Sequence, residues 1–76
     1  MTIRHLRIFV HVAETGSMSA AAKQCFLSQP TVSQAIRELE DHYNIKLFDR
    51  LSKKLYITEA GRQLLLYAKK ALSQFD

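Results

Sequence analysis

The side chains best suited to chemistry lie in the segment that follows Pro30. At about 100° per residue, Ser33, Gln34 and Arg37 join Pro30 on one side of a helix. Glutamine amides, arginine guanidinium groups and serine hydroxyls are the groups with which proteins read base edges or contact phosphates. The acidic residues of this segment come only near its far end. The pattern favours nucleic-acid binding over an ordinary solvated face. The candidate base-reading residues are Gln29, Pro30, Ser33, Gln34 and Arg37.

A basic stretch after this helix holds a second set of candidate contacts. Two β-prone runs, Leu47–Arg50 and Lys54–Thr58, flank a turn near Ser52 and predict a two-stranded wing. Clustered cations on a protruding hairpin suit phosphate contact or minor-groove insertion. The alternative is a hairpin edge that lysine keeps soluble. The candidate phosphate or minor-groove residues of the wing are Arg50, Lys53 and Lys54.

The sequence contains no recognisable catalytic or metal-binding constellation. No two histidines have the spacing of about three or four residues that is typical of metal ligands, and no glycine-rich phosphate loop is present. The single cysteine, Cys25, excludes an internal disulfide and fits a small buried residue in a reducing compartment. We therefore expect neither an enzyme nor a metal or cofactor site in this chain.

Helices must position these side chains. Apolar periodicity predicts a first helix over Ile3–Thr15, with Thr2 as its N-cap and Gly16 after its end. Ile8 and Val12 fall on the far side of this helix, where we expect a lone domain to leave them exposed. This second apolar stripe would then need another chain to cover it.

The next two helices are joined by a tight turn. Ser19 is the expected N-cap of a short, Ala-rich second helix, and Phe26 and Leu27 are expected to anchor its end in the core. Ser28 then caps a third helix that runs to about Tyr43. Two helices so closely joined predict a helix-turn-helix.

A last helix begins after Thr58 and is expected to continue to the end of the chain, as if cut in mid-helix. Its apolar stripe spans about 160°, wider than a strict heptad seam. We expect the excess to form a homodimer interface with alanines at its centre. The predicted interface residues are Leu64, Leu65, Ala68, Ala71, Leu72 and Phe75.

Composition supports this interpretation. The chain has 76 residues and a net charge of +4, which suits a polyanionic partner. A domain of this size buries only about 60% of its unfolded surface, so a partner chain would add stability. No apolar run approaches the about 20 residues of a transmembrane helix, and we expect no membrane partner.

Three motifs carry a resemblance to a known family: SQPTVS at 28–33, LFDR at 47–50 and ITEAG at 57–61. With the segment at 9–22, they closely resemble the N-terminal domain of LysR-type transcriptional regulators over about residues 3–75. The resemblance implies a mainly α winged helix-turn-helix: a three-helix core, a two-stranded β wing and a long C-terminal linker helix.

The resemblance also implies an organisation and a setting. Residues 1–58 would form the DNA-binding domain, and residues 59–76 would begin the linker helix that pairs two subunits. The full protein would be a bacterial, cytoplasmic, nucleoid-associated regulator that binds a palindromic double-stranded operator as a homodimer or higher oligomer. A C-terminal domain, absent from this chain, would sense a small-molecule effector, while this domain would need no cofactor.

The family's contact residues match individual positions of this chain. The candidate base-reading residues match positions that face the major groove, whereas Ser28 and Thr31 match phosphate-contacting positions. Three positions depart from the family pattern: Gln34 where a basic residue is frequent, Lys53 where the wing has an arginine near the minor groove, and Ser52 where the turn has a glycine.

Two other interpretations remain open at this stage. One is the related winged-helix domain of molybdate-responsive regulators, and the other is a helical protein-interaction module built on the last helix. Salt separates DNA binding from helix pairing, because only the former weakens steeply as salt rises.

Overall fold

Four helices and a two-stranded antiparallel sheet form the chain in this computed structural model, which describes residues 2–52 and 54–74. This architecture confirms the mainly α winged helix-turn-helix that the sequence predicts. In chain order, the elements are α1 (Ile3–Thr15), α2 (Met18–Cys25), α3 (Gln29–Tyr43), β1 (Phe48–Leu51), β2 (Lys54–Ile57) and α4 (Glu59–Ser73).

The helix α1 has the predicted bounds because both of its caps form. The Thr2 side chain accepts a hydrogen bond from the His5 backbone N–H, and the His5 ring in turn bonds the Thr2 backbone N–H, which makes a capping box. At the other end, Gly16 adopts a left-handed φ of 69°, and its N–H donates to the Val12 carbonyl across 2.8 Å.

Both sides of α1 are covered, which corrects one expectation. Ile8 is 3% exposed and Val12 is fully buried, so the prediction that they stay open to solvent is wrong. Three helices, α2, α3 and α4, contact α1. A helix surrounded in this way buries a broad apolar surface without a second chain.

The helix α2 starts and ends differently from the prediction. Its N-cap is Ser17 rather than Ser19, because the Ser17 hydroxyl accepts a hydrogen bond from the Ala20 N–H at 3.1 Å. At the other end, Phe26 takes a left-handed φ of 58° and is 94% exposed, so it does not anchor the core. The left-handed residue turns the chain, so of the two residues Phe26 and Leu27 only Leu27 packs against the core.

The helix α3 has the bounds that the sequence predicts. The Ser28 hydroxyl caps it by accepting from the Thr31 N–H, and Asn44 ends it in the left-handed conformation. Its core-facing residues are Val32, Ala35, Ile36 and Leu39.

The wing follows α3 as a short antiparallel hairpin. Phe48 pairs with Ile57 at its base, and Leu51 pairs with Lys54 at its tip. The ring of Phe48 packs against that of Phe9 in α1, with 5.6 Å between ring centroids. The hairpin is therefore anchored in the helical core at its base and projects from it at its tip. Ser52 in the turn has a left-handed φ of 51°.

The helix α4 packs on α1 and contributes to the core of its own chain. Leu64 and Leu72 are buried, and Ala68 is fully buried. The expectation that alanine 68 lies at the centre of a contact between chains is therefore wrong, since no surface of its side chain is free. Leu65 and Ala71 are half-buried at the margin of this face, and the predicted interface residue Phe75 lies outside the described residues.

Candidate nucleic-acid interface

The structure gathers the candidate base-reading residues on one open face of α3. Gln29, Pro30, Gln34 and Arg37 are exposed, and Ser33 is half-buried among them. The Gln29 amide donates to the Ser33 hydroxyl at 2.8 Å, which orders the first turn of this face. Amide, hydroxyl and guanidinium groups thus stand side by side on the outer face of a helix whose opposite face packs in the core.

The N-terminus of α3 lies at one end of this face. The hydroxyls of Ser28 and Thr31 are 2.7 Å apart, and both residues are exposed. The free backbone N–H groups of a helix N-terminus favour an anion, and neighbouring hydroxyls extend the set of possible phosphate ligands. This arrangement fits phosphate contact.

Further along α3, a hydrogen-bonded series runs back to α1. Arg37 Nη2 donates to Gln34 Oε1 at 3.0 Å, and Gln34 Nε2 lies 3.5 Å from Glu38 Oε2. The other oxygen of Glu38 lies 2.7 Å from His5 Nε2. The hydrogen bonds from His5 and then from Gln34 lower the pKa of Glu38, because they stabilise the charged carboxylate. Glu38 is therefore an anion held against α1 at the margin of the open face.

The wing stands beside the open face of α3. Ser33 and Arg37 from α3 and Lys46 and Arg50 from the wing region line one cleft of about 450 Å³. Glu40 and Asp49 line the same cleft, so its three cations outnumber its two carboxylates, and the Glu40 carboxylate is engaged by the Leu47 N–H. The net positive charge suits a polyanion. Lys46 belongs to the clustered cations of the basic stretch for which the sequence predicts phosphate contact.

A second cleft of about 370 Å³ adds the N-terminus of α2. Here Ser17 and Ser19 approach Gln29, Arg50 and Lys54. Arg50 and Lys54 are exposed, whereas the remaining wing candidate, Lys53, lies outside the described residues. The serines of α2 enter the site only through folding, because neither one belongs to a polar helix face or a basic run.

Three hydrogen bonds fix the base of the wing, and one of them comes from the end of α3. The Glu40 carboxylate accepts a hydrogen bond from the Leu47 N–H at 2.8 Å. Just after β2, the hydroxyl of Thr58 donates to the Lys46 carbonyl at 2.6 Å, and the Thr58 N–H donates to the Leu47 carbonyl at 3.0 Å. Glu40 therefore positions the wing, a role that its place among the acidic residues of α3 did not indicate.

No alternative chemistry is assembled elsewhere in the described part of the chain. Within residues 2–52 and 54–74, no three histidine, cysteine or acidic side chains come together as metal ligands. Burial raises the pKa of the Cys25 thiol, which disfavours the reactive thiolate. Among the same residues, none of the helices is both long and apolar enough to span a membrane.

The outer face of α4 carries two large exposed hydrophobic side chains away from this site. We define it by Leu66, Tyr67, Lys69, Lys70 and Ser73, which line one shallow depression. Leu66 is 71% exposed, and Tyr67 is more than half exposed. This outer face does not include the buried residues Leu64, Ala68 and Leu72.

Comparison with known proteins places this geometry in a family. The model of the family described as "Bacterial regulatory helix-turn-helix protein, lysR family" matches residues 3–62. An HTH-type transcriptional regulator of the ibpB-leuC intergenic region of Azotobacter vinelandii is 47% identical over the whole chain and 53% of its own length. The RuBisCO operon transcriptional regulator of Allochromatium vinosum is 44% identical over 91% of the chain and 23% of its own length. The chain thus spans between about a quarter and a half of these curated relatives.

Solved structures agree in fold across nearly the whole chain. The BenM DNA-binding domain in complex with the catB site 1 DNA is similar with a TM-score of 0.94 and 39% identity, covering 100% of this chain and 84% of that one. The CbnR DNA-binding domain in its DNA complex gives a TM-score of 0.92 at 35% identity, covering 97% and 85% of the two chains. Both structures contain a winged helix-turn-helix bound to DNA.

Proposed function

The chain belongs to the lysR family of bacterial regulatory helix-turn-helix proteins, and from that premise we propose that it binds double-stranded DNA in a sequence-specific manner as part of a transcriptional regulator. The observation that carries the proposal is the exposed polar face of α3 beside the cationic wing, joined by one cleft that Arg37, Lys46 and Arg50 line. The DNA complexes of the similar BenM and CbnR domains support it.

In this proposal, α3 enters the major groove with its N-terminal half. The amides of Gln29 and Gln34 suit adenine, and the guanidinium of Arg37 suits guanine O6 and N7. Pro30 and Ser33 offer a compact surface beside them, where the helix approaches the base edges closely.

Phosphate contacts would fix the register of α3 on the duplex. Ser28 and Thr31 would bind a phosphate at the helix N-terminus, and Arg50 with Lys54 would bind the backbone from the wing. Lys53, predicted to contact the backbone or the minor groove, would add a third wing cation. Such contacts position the protein and do not discriminate between sequences, so specificity rests on α3.

We also propose that two chains pair through α4. The large exposed side chains of Leu66 and Tyr67 on its outer face support this proposal, with Leu65 and Ala71 at the margin. A two-fold pair would place its recognition helices about 34 Å apart, so the operator would be palindromic. The DNA-binding domain would end near residue 58, and residues 59–76 would begin the linker helix.

The longer relatives support a further part of the proposal. Since the chain spans only 23% and 53% of two curated relatives, we propose that the whole protein carries a C-terminal domain that binds a small-molecule effector and forms higher oligomers. The DNA-binding domain itself would need no cofactor or catalytic group, and it would act on nucleoid DNA in the bacterial cytoplasm.

Selection of bound sequences from random duplex DNA tests the proposed function. We expect enrichment of a palindromic sequence, and an affinity that falls by about one decade per decade of salt for each phosphate neutralised. A protein-interaction module built on α4 would enrich no sequence, and its pairing would depend little on salt. Enrichment of no sequence, or a DNA affinity that does not fall as salt rises, would contradict the proposed function.

A further inference from the structure

The neighbours of His5 determine where its proton lies. The Thr2 backbone N–H approaches the Nδ1 atom of His5 at 3.3 Å, and a backbone N–H only donates. Nδ1 therefore accepts, and the proton of the neutral ring sits on Nε2. From there it is donated to Glu38 Oε1 across 2.7 Å. The first turn of α1 thus holds the Glu38 carboxylate in one place.

The orientation of the Gln34 amide follows from the charges on its two sides. The Glu38 carboxylate only accepts hydrogen bonds, and the Arg37 guanidinium only donates them. The amide NH₂ must therefore face Glu38, at 3.5 Å, and the amide carbonyl must face Arg37, at 3.0 Å. The opposite orientation would place acceptor against acceptor and donor against donor.

This arrangement leaves the Gln34 amide competent to bind a base. An amide has two N–H donors and two acceptor lone pairs, and each of its two neighbours uses one of them. One donor and one acceptor remain, which is the set that a bidentate contact with adenine N7 and N6 requires. His5, Gln34 and Glu38 also line a common cleft of about 350 Å³ between α1 and α3, so the three groups form one local unit.

We propose that His5 and Glu38 are positioning residues that set an adenine preference at the base pair facing Gln34, an inference that rests on the proposed DNA-binding function. A glutamine side chain ordered before binding avoids the entropy loss that a free one suffers on contact. For one side chain, this effect amounts to roughly two- to tenfold in affinity. Because only the Gln34 contact gains, the change falls on selectivity at one base pair and not on binding in general.

The test uses the sequence selected from random duplexes by the wild-type chain. Binding is measured to a series of duplexes in which each position of that sequence carries each of the four base pairs in turn. The position at which Gln34→Ala loses the preference for adenine is the one that Gln34 contacts. We expect His5→Ala and Glu38→Ala to reduce that preference by roughly two- to tenfold and to leave preferences elsewhere unchanged. His5→Gln, which keeps a neutral N–H donor, should retain the preference.

Asp41→Ala is the matched control, because it removes an exposed acidic residue from the same helix without removing a contact of Gln34. It should change affinity for all duplexes alike. If His5→Ala disturbs the capping of α1, thermal unfolding will reveal it. The test of the adenine preference then rests on Glu38→Ala, which leaves the Thr2 cap intact.

Several results would overturn the inference. Unchanged adenine preference in Glu38→Ala would do so, as would an equal loss at every position or a Gln34→Ala variant that loses no preference for adenine. In each of these cases the wild-type chain still selects a sequence, so the proposed function stands. If the wild-type chain enriches no sequence, the proposed function fails and the inference fails with it.

Discussion

The Glu40 carboxylate accepts a hydrogen bond from the Leu47 backbone N–H across 2.8 Å, and so links the last turns of α3 to the start of the wing. Leu47 itself is fully buried, so its N–H has little access to water. The bond fixes where the wing leaves the core, and with it the position of Arg50 relative to the open face of α3.

Glu40→Ala should therefore destabilise the fold. The buried Leu47 N–H would lose its acceptor, at a cost of about 1–3 kcal/mol in the free energy of unfolding. Chemical denaturation measures this cost. Asp41→Ala removes the neighbouring, exposed acidic residue and should change stability by less than about 0.5 kcal/mol. Equal stability of the two variants would show that the contact with Leu47 contributes nothing.

Gly61→Ala should destabilise the junction between the wing and α4. A methyl group at Gly61 would collide with the Leu47 carbonyl oxygen and lie 2.6 Å from Ile57 Cγ1. Overpacking of this kind costs about 1–3 kcal/mol. Gly16→Ala is a useful comparison, because it meets no atom within 4 Å and is strained only by its left-handed φ of 69°. We expect only Gly61→Ala to lose core packing in the folded state. A change in its near-UV circular dichroism spectrum, recorded below the temperature of thermal unfolding, measures that loss.

Ala68→Glu and Leu66→Glu should separate folding from dimerisation. Ala68 is fully buried in its own chain, so a glutamate there places an unpaired charge in the core and should unfold the domain. Leu66 is exposed on the outer face of α4, so Leu66→Glu should leave the fold intact and weaken pairing. Circular dichroism and analytical ultracentrifugation measure the two effects. A folded Ala68→Glu monomer, or an unaffected Leu66→Glu dimer, would contradict this assignment.

Arg37→Ala should weaken specific DNA binding by about 1–3 kcal/mol and relax the preference at one base pair in each half-site, if Arg37 is bidentate to guanine. Its guanidinium lies in the middle of the open face of α3 and shares a cleft with Arg50. Binding titrations against the selected sequence and a scrambled duplex measure the difference. The same loss on both duplexes would show that Arg37 contacts only phosphate.

The Glu38 contacts should make stability depend on pH in the acidic range. Because the hydrogen bond from His5 holds the pKa of Glu38 below its ordinary value of 4.5, ionised Glu38 favours the folded state. This contribution is present above that value and is lost as pH falls through the lowered pKa. Wild type should therefore unfold at a higher temperature than Glu38→Gln near neutral pH, and the two should converge at acidic pH. A difference that is constant across the range would contradict the pKa assignment.

The helix boundaries could largely be predicted from the sequence because they depend on local chemistry. Thr2, Ser28 and Thr58 cap helices through hydrogen bonds to backbone groups only a few residues away. The left-handed ends at Gly16 and Asn44 are local in the same way. The polar face of α3 likewise follows from helical periodicity, so its candidate base-reading residues were predictable together.

Competing local signals explain the errors at α2. Ser17 and Ser19 are both good caps, and only the path of the chain after Gly16 selects Ser17. Phe26 has the apolar character of a core residue, yet its left-handed backbone conformation turns it outward and leaves the core to Leu27. Hydrophobicity alone does not distinguish two adjacent apolar residues when the turn between two helices decides which one points inward.

The sequence by itself determined the elements, the polar face of α3 and the family motifs, because caps, turns and periodicity act over a few residues. Only the tertiary structure decided which apolar stripes are already covered: three helices surround α1, so Ile8 and Val12 are buried, and α4 uses Ala68 against its own core. It also brought Glu40 to Leu47 and His5 to Glu38. Such contacts join residues from different elements, and their partners depend on how the helices and the wing pack together in space.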